Sequence, residues 1–134
     1  MAFGLKKKNH VEFFNGTLVM NAPFAFVLGK DFKTNRALLR FLSMDSATIH
    51  LSMEGEVPDL KNFFDIPMSF RLPGNQNIWK CNTDVARLYA YDEHDRPVYG
   101  MVLRFKNFTN EQHEQMQQYL LARKNAGAPV ANNQ

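Results

Sequence analysis

Hydrophobic positions along the chain recur mostly at every second residue, the period of half-buried strands. Phe24, Phe26 and Leu28 alternate after Pro23, which fits a strand starting behind a proline. Gly29-Lys30-Asp31 reads as a turn. Ala37 to Leu42 is an apolar run flanked by Arg36 and interrupted by Arg40. Thr48 to Met53 alternates again, with Ile49, Leu51 and Met53 on one face, until Glu54-Gly55-Glu56 and Pro58-Asp59 break it. Met68, Phe70 and Leu72 form a further set that ends at Pro73-Gly74. Ile78 to Tyr91 is long for one strand and predicts a bulge or bend within it. The polar stretch Tyr91 to Pro97 reads as a hairpin loop, after which Tyr99, Met101, Leu103 and Phe105 alternate. Near the start, Asn15-Gly16 is a strong turn signal. It makes Val11 to Phe14 and Thr17 to Met20 an extra hairpin.

The period changes at Thr109. Thr109 has the chemistry of an N-cap, and Gln112 three residues on completes a capping box. Glu111 and Glu114 suit a helix N-terminus, Arg123 and Lys124 its C-terminus. Met116, Tyr119, Leu120 and Arg123 share one face, and Gly127 marks the stop. Short antiparallel strands followed by one helix predict an all-β fold, a small barrel or sandwich, and a closed barrel removes the edges such strands would expose. The expected organisation is a flexible basic arm over 1–10, one barrel domain over 11–124 with its helix at 109–124, and a disordered tail over 125–134.

Composition narrows this picture. A chain of 134 residues fits one domain and can fold without staples. Its one cysteine, Cys81, excludes an intramolecular disulfide and a cysteine-cluster zinc site. No stretch approaches the ~20 apolar residues of a membrane helix. The N-terminus lacks a signal-peptide pattern, so a cytoplasmic address is expected. The formal charge of +3, from 16 basic and 13 acidic residues, permits an anionic partner without demanding one.

Candidate chemistry is sparse. His10, His50, His94 and His113 are scattered, with no metal-ligand spacing. His94 lies among Asp92, Glu93 and Asp95, a setting that reads as a solvated hairpin tip rather than a metal or proton-relay site. Cys81 reads as a buried, inert thiol. The chain has no phosphate loop, dinucleotide fingerprint or nucleophile elbow, so no enzyme and no cofactor are expected. Lys6, Lys7 and Lys8, with His10 behind them, form a cationic arm. Arg36 and Arg40, four apart in a strand-like run, fall on one face. Arg71, Arg87 and Arg104 lie in strands. Arginines grip phosphate and stack on purines, so a barrel face bearing them and Trp79 is a candidate nucleotide site. The same arginines equally suit the solvent face of alternating strands. Phe13-Phe14 and Phe63-Phe64 are adjacent pairs, and one of each pair must leave the core unless something covers it. These four are the candidate partner contacts.

The order of elements from about Ile66 to Leu121 resembles the second half of a PilZ domain. The resemblance rests on Pro73-Gly74 and then a long strand with Val85-Ala86-Arg87. A hairpin follows to Tyr99-Gly100-Met101-Val102-Leu103-Arg104-Phe105, then Asn107-Phe108-Thr109 and a helix ending at Tyr119-Leu120. That resemblance implies a bacterial six-stranded antiparallel barrel with a C-terminal helix. PilZ domains commonly bind cyclic di-GMP through an Arg-x-x-x-Arg and an Asp/Asn-x-Ser-x-x-Gly. Here the second motif falls at Ser43-Met44-Asp45-Ser46-Ala47-Thr48, with Ser43 for Asp/Asn, Asp45 for Ser and Thr48 for Gly. Arg36-Ala37-Leu38-Leu39-Arg40 matches the first motif's spacing but abuts the second. Lys6, Lys7, Lys8 and His10 stand at the right end of the chain without a guanidinium. The resemblance is therefore to a degenerate PilZ domain. It implies a regulatory adaptor for motility or surface behaviour that binds a protein partner, with cyclic di-GMP bound weakly or not at all. A genuine cyclic di-GMP receptor with non-standard residues is one alternative, using Lys6, Lys7, Lys8, His10, Arg36, Arg40, Ser43, Asp45 and Ser46. A nucleic-acid-binding barrel is the other, and the balanced charge argues against it.

Overall fold

A computed structural model describes residues 12–30, 32–52 and 60–131. Six antiparallel strands form a closed barrel. They are β1 (Thr17–Leu28), β2 (Phe32–Ser43), β3 (Ser46–Ser52), β4 (Ile66–Arg71), β5 (Trp79–Glu93) and β6 (Arg96–Lys106). The ring order is β1-β2-β3-β6-β5-β4, and β1 closes it by pairing Ala25–Leu28 with Met68–Arg71. One helix, α1 (Asn110–Asn125), follows. The all-β barrel with a C-terminal helix expected from the alternation is the observed fold.

The alternating residues line the interior. Phe24, Phe26, Phe70 and Phe105 are buried with Leu39, Ile49, Met101 and Leu103. Phe70 stacks between Trp79 and Phe105 at 5.9 and 5.3 Å between ring centroids. Trp79 is therefore core, 3% exposed, and is lost to the outer face on which a nucleotide site would need it. The bend expected in the long fifth run is a register shift between Val85 and Arg87. There the Val85 N–H donates to the Phe63 carbonyl at 2.7 Å.

Three local expectations differ from the structure. The Asn15-Gly16 hairpin does not form. β1 instead begins at Thr17 and runs through Pro23, with a bulge between Val19 and Ala22 where Asn21 has φ 49°, while the Phe14 ring folds over Gly16, where a Cβ would meet it at 2.9 Å. Pro23 pairs only with β2, so its missing N–H can face away from a ladder. The Tyr91–Pro97 loop is tighter than expected. Strands reach Glu93 and Arg96, and His94 and Asp95 alone make the turn, both with positive φ (53° and 63°). The tail does not fray over its described part. Leu18 bridges Val130, the Val19 N–H donates to the Pro129 carbonyl (2.9 Å), and the Ala131 N–H donates to Thr17 (2.7 Å).

Helix α1 starts as its sequence specifies. Thr109 Oγ1 accepts from the Gln112 N–H, and the Gln112 side chain accepts from the Thr109 N–H. It ends in a Schellman turn. Gly127, at φ +106°, donates to the Lys124 carbonyl, and Ala128 donates to Arg123. Only Met116 and Leu120 are fully buried on it. Gln117 adds a reciprocal pair, accepting from the Phe14 N–H (2.9 Å) and donating to the Phe14 carbonyl. Tyr119 donates its hydroxyl to the Pro73 carbonyl at 2.6 Å.

Candidate functional site

The outer face of β2, β3, β6 and β5 gathers most of the described candidates. Its corner is the turn from β2 to β3. Ser43, 8% exposed, sends its hydroxyl to Asp45 Oδ1 at 2.9 Å and lies 3.0 Å from the Ser46 hydroxyl. The Asp45 carbonyl accepts from the Phe105 N–H at 2.8 Å. The turn is thus tied to itself and to β6, and it exposes a carboxylate. Thr48 sits in regular strand without a positive φ. The effect of a threonine there is bulk toward the outer surface, not backbone strain. Beside the turn, Phe41, Ser46 and Thr48 line a groove of about 480 Å³, and Val130 and Ala131 form part of its wall.

Arg36 and Arg40 do share the outer face, because Ala37 and Leu39 between them are buried. Four residues of strand separate them by about 13 Å, too far for both to grip one phosphate through short reaches. Neither makes an ion pair with a carboxylate among the described residues. Arg40 turns toward β3, where its Nη1 donates to His50 Nδ1 at 3.1 Å. Its Nε is buried without a partner.

His50 leads to a cluster that the strand pattern alone did not assemble. The Tyr91 hydroxyl lies 2.6 Å from His50 Nδ1 and 3.1 Å from Nε2. Tyr91 stacks on Tyr89 at 5.9 Å, and the Arg87 guanidinium sits over the Tyr89 ring at 5.0 Å. Gly100, between His50 and Tyr89 in the ladder, makes this possible, since a Cβ there would stand 2.2 Å from the Tyr89 ring. A glycine inside an alternating strand was the available signal, because it marks close approach by a neighbour. The distance from β2 to β5 across the ring order was not legible without the registers.

Arg40 always donates, so the His50 ring accepts at Nδ1 and is neutral. Burial and then the Arg40 charge hold its pKa below the ordinary 6.5, with Glu93 opposing. The unfolded chain takes up this proton first. Stability therefore falls as pH drops below about 6.5 and levels off once the folded-state pKa is passed. Comparing unfolding midpoints across that range, we expect a shallower decline in His50→Gln than in the unaltered chain. An identical pH dependence would detach His50 from Arg40.

The remaining candidates divide. Lys6, Lys7, Lys8 and His10 lie outside the described residues. Phe14 is not a free contact, being buried beneath α1 with the Lys124 ammonium 5.9 Å from its ring. Phe13, Phe63 and Phe64 are exposed, at 68%, 42% and 66%. The Cys81 thiol is pushed up to about 11 by burial, against a backbone N–H from Lys106, which suits an inert side chain. His94 caps the hairpin tip, and no three potential metal ligands converge among the described residues. No helix among them is long and apolar enough to cross a membrane.

This barrel with a helix after its last strand is a PilZ-like fold. No protein-family model matches the chain, and no curated protein sequence does. Among solved structures it is similar to the Bacillus subtilis inhibitor of motility, MotI/DgrA, with a TM-score of 0.63 at 13% identity over 83% of this chain. It is also similar to the Borreliella burgdorferi PlzA protein solved in complex with c-di-GMP (0.55, 12%, 87%) and to K. pneumonia MrkH in its apo state (0.60, 10%, 83%). All three are PilZ-domain proteins. The chain spans 51%, 54% and 49% of their respective lengths, and at these identities the likeness establishes the fold alone.

Proposed function

We propose that this chain is a non-enzymatic, PilZ-like regulatory module of the bacterial cytoplasm. It acts by contacting a partner protein in cyclic di-GMP-linked control of motility or surface behaviour, and its own hold on cyclic di-GMP is weak or absent. The observation that carries this reading is the β2–β3 turn. At the positions aligned with the family's second motif, all three of whose residues are replaced here, the Ser43 hydroxyl is turned onto Asp45, and the Asp45 carboxylate faces outward. A phosphodiester brought there meets a negative charge where the family offers a hydroxyl donor. Thr48 puts a branched side chain into the groove at the glycine position. Arg40, the guanidinium next to this face, is engaged with His50. The solved PlzA complex with c-di-GMP supports the link to that nucleotide, and the description of MotI/DgrA as an inhibitor of motility supports the link to movement.

Calorimetric titration of the full chain with cyclic di-GMP tests the reading. Absence of a saturable heat in the micromolar range is expected. Micromolar or tighter binding would replace the adaptor with a receptor that uses Arg40 and its neighbours.

A further inference from the structure

The barrel has a second outward face, away from the β2–β3 turn. The registers set Lys33, Val27, Ser69 and Lys80 side by side across β2, β1, β4 and β5. Cross-strand partners share a face, and the alternate residues Phe26, Met68 and Phe70 are buried, so these four point outward. Arg71 stands beside Ala25, one outward position further along the same two strands. With strands about 4.8 Å apart, the Lys33 and Lys80 backbones are about 14 Å from each other. Between the cations the side chains are short: Ala25, Val27 and Ser69.

Small residues between long ones make a trough. Two cavities of about 630 and 530 Å³ adjoin at Val27 and Ser69. Lys33 and Arg71 line the first, Lys80 the second, and neither lining includes an acidic residue among those described. Asp65 and Asp84 lie past Asn82, where Lys106 holds them at 3.7 and 3.3 Å. Ile78, 58% exposed, borders the trough near Arg71, and the amides of Asn107 and Gln112 edge its other end.

We propose that this trough docks an acidic, extended segment of the partner protein, a proposal that rests on the adaptor reading and gives that partner its chemistry. Charge complementarity carries it, because three cations face one groove with no carboxylate among the described residues of its walls. About 14 Å is the reach of roughly four extended residues, so carboxylates about four apart would meet Lys33 and Lys80 together. Ile78 offers an apolar contact at the rim. Single-stranded nucleic acid fits less well. Its bases need exposed aromatic platforms, and the trough's Phe26 and Phe70 are each 2% exposed.

The test titrates the isotope-labelled full chain with a short poly-L-glutamate peptide, and separately with an oligothymidylate of matched charge. Amide shifts are expected to map to Ala25, Val27, Ser69 and Lys80. Lys33→Glu/Arg71→Glu/Lys80→Glu is expected to weaken the peptide by about tenfold or more, summed over three exposed charge contacts. A Lys33→Gln/Arg71→Gln/Lys80→Gln variant, with its spectrum otherwise unchanged, separates loss of charge from loss of fold. No peptide binding, shifts elsewhere, binding indifferent to both variants, or tighter binding of the oligothymidylate would each overturn the proposal. None of these outcomes touches the nucleotide titration, on which the adaptor reading stands or falls separately.

Discussion

Phe70→Ala is expected to cost about 3–5 kcal/mol of folding stability, the range for truncating a well-packed buried aromatic. Phe70 is 2% exposed and sits at the centre of the aromatic core, between Trp79 and Phe105 and 5.8 Å from Phe24. It also lies on β4, at the pair Phe26–Phe70 that helps close the ring. Removing the ring leaves a cavity that three rigid neighbours cannot fill. Against a total of about 5–15 kcal/mol for a typical domain, this is a large share. The midpoint should drop on the order of 10–20 °C. Phe64→Ala, at a residue 66% exposed, serves as the contrast and should be close to neutral. Equal losses for the two in denaturant titrations would contradict the assignment of core and surface.

Leu120→Ala is expected to cost about 2–5 kcal/mol. The sequence of α1 is polar on most of its surface, and Met116 and Leu120 are its only fully buried side chains. A helix of sixteen residues is marginal alone in water, so its docking rests on contacts with the barrel: those two anchors, the partly buried Leu121, and the hydrogen bonds of Gln112, Gln117 and Tyr119. Losing Leu120 should also loosen Phe14, whose backbone is held by Gln117 and whose ring lies under the helix. Hydrogen exchange should therefore accelerate in α1 and at Phe14 before it does in β3 and β6. Uniform acceleration throughout would mean the helix and barrel open as one unit.

The architecture was largely legible because one face of each strand is buried. Alternation at Phe24-Phe26-Leu28, Met68-Phe70-Leu72 and Met101-Leu103-Phe105 reports that burial directly. The capping box at Thr109 and Gln112 is equally local and was equally legible. Asn15-Gly16 misled because a local turn signal competed with a long-range contact, and Phe14 found its cover on a helix more than 100 residues away. Gly127, Pro129 and the asparagines spell a frayed tail to any local reading. Its β-bridge to Leu18 depends on where the barrel presents the unpaired edge of β1.

The candidate site was legible only in pieces. Ser43, Asp45 and Ser46 do converge, since a turn brings neighbours in sequence together. Arg40, His50, Tyr91, Tyr89 and Arg87 come from three strands, and their union follows from ring order and register. Charge was similarly opaque. The excess of +3 equals in number the lysines at 6–8, yet the barrel itself separates Lys33, Arg71 and Lys80 onto one face. A balanced total conceals that local concentration.

We propose that this PilZ-like barrel holds cyclic di-GMP weakly or not at all at its β2–β3 turn. The most direct test of this claim follows the amides of Asp45, Ser46, Thr48 and His50 by NMR while cyclic di-GMP is added to the full chain. The expected result is small, non-saturating shifts through the micromolar range. Saturating shifts at these four amides with a micromolar midpoint would contradict the claim.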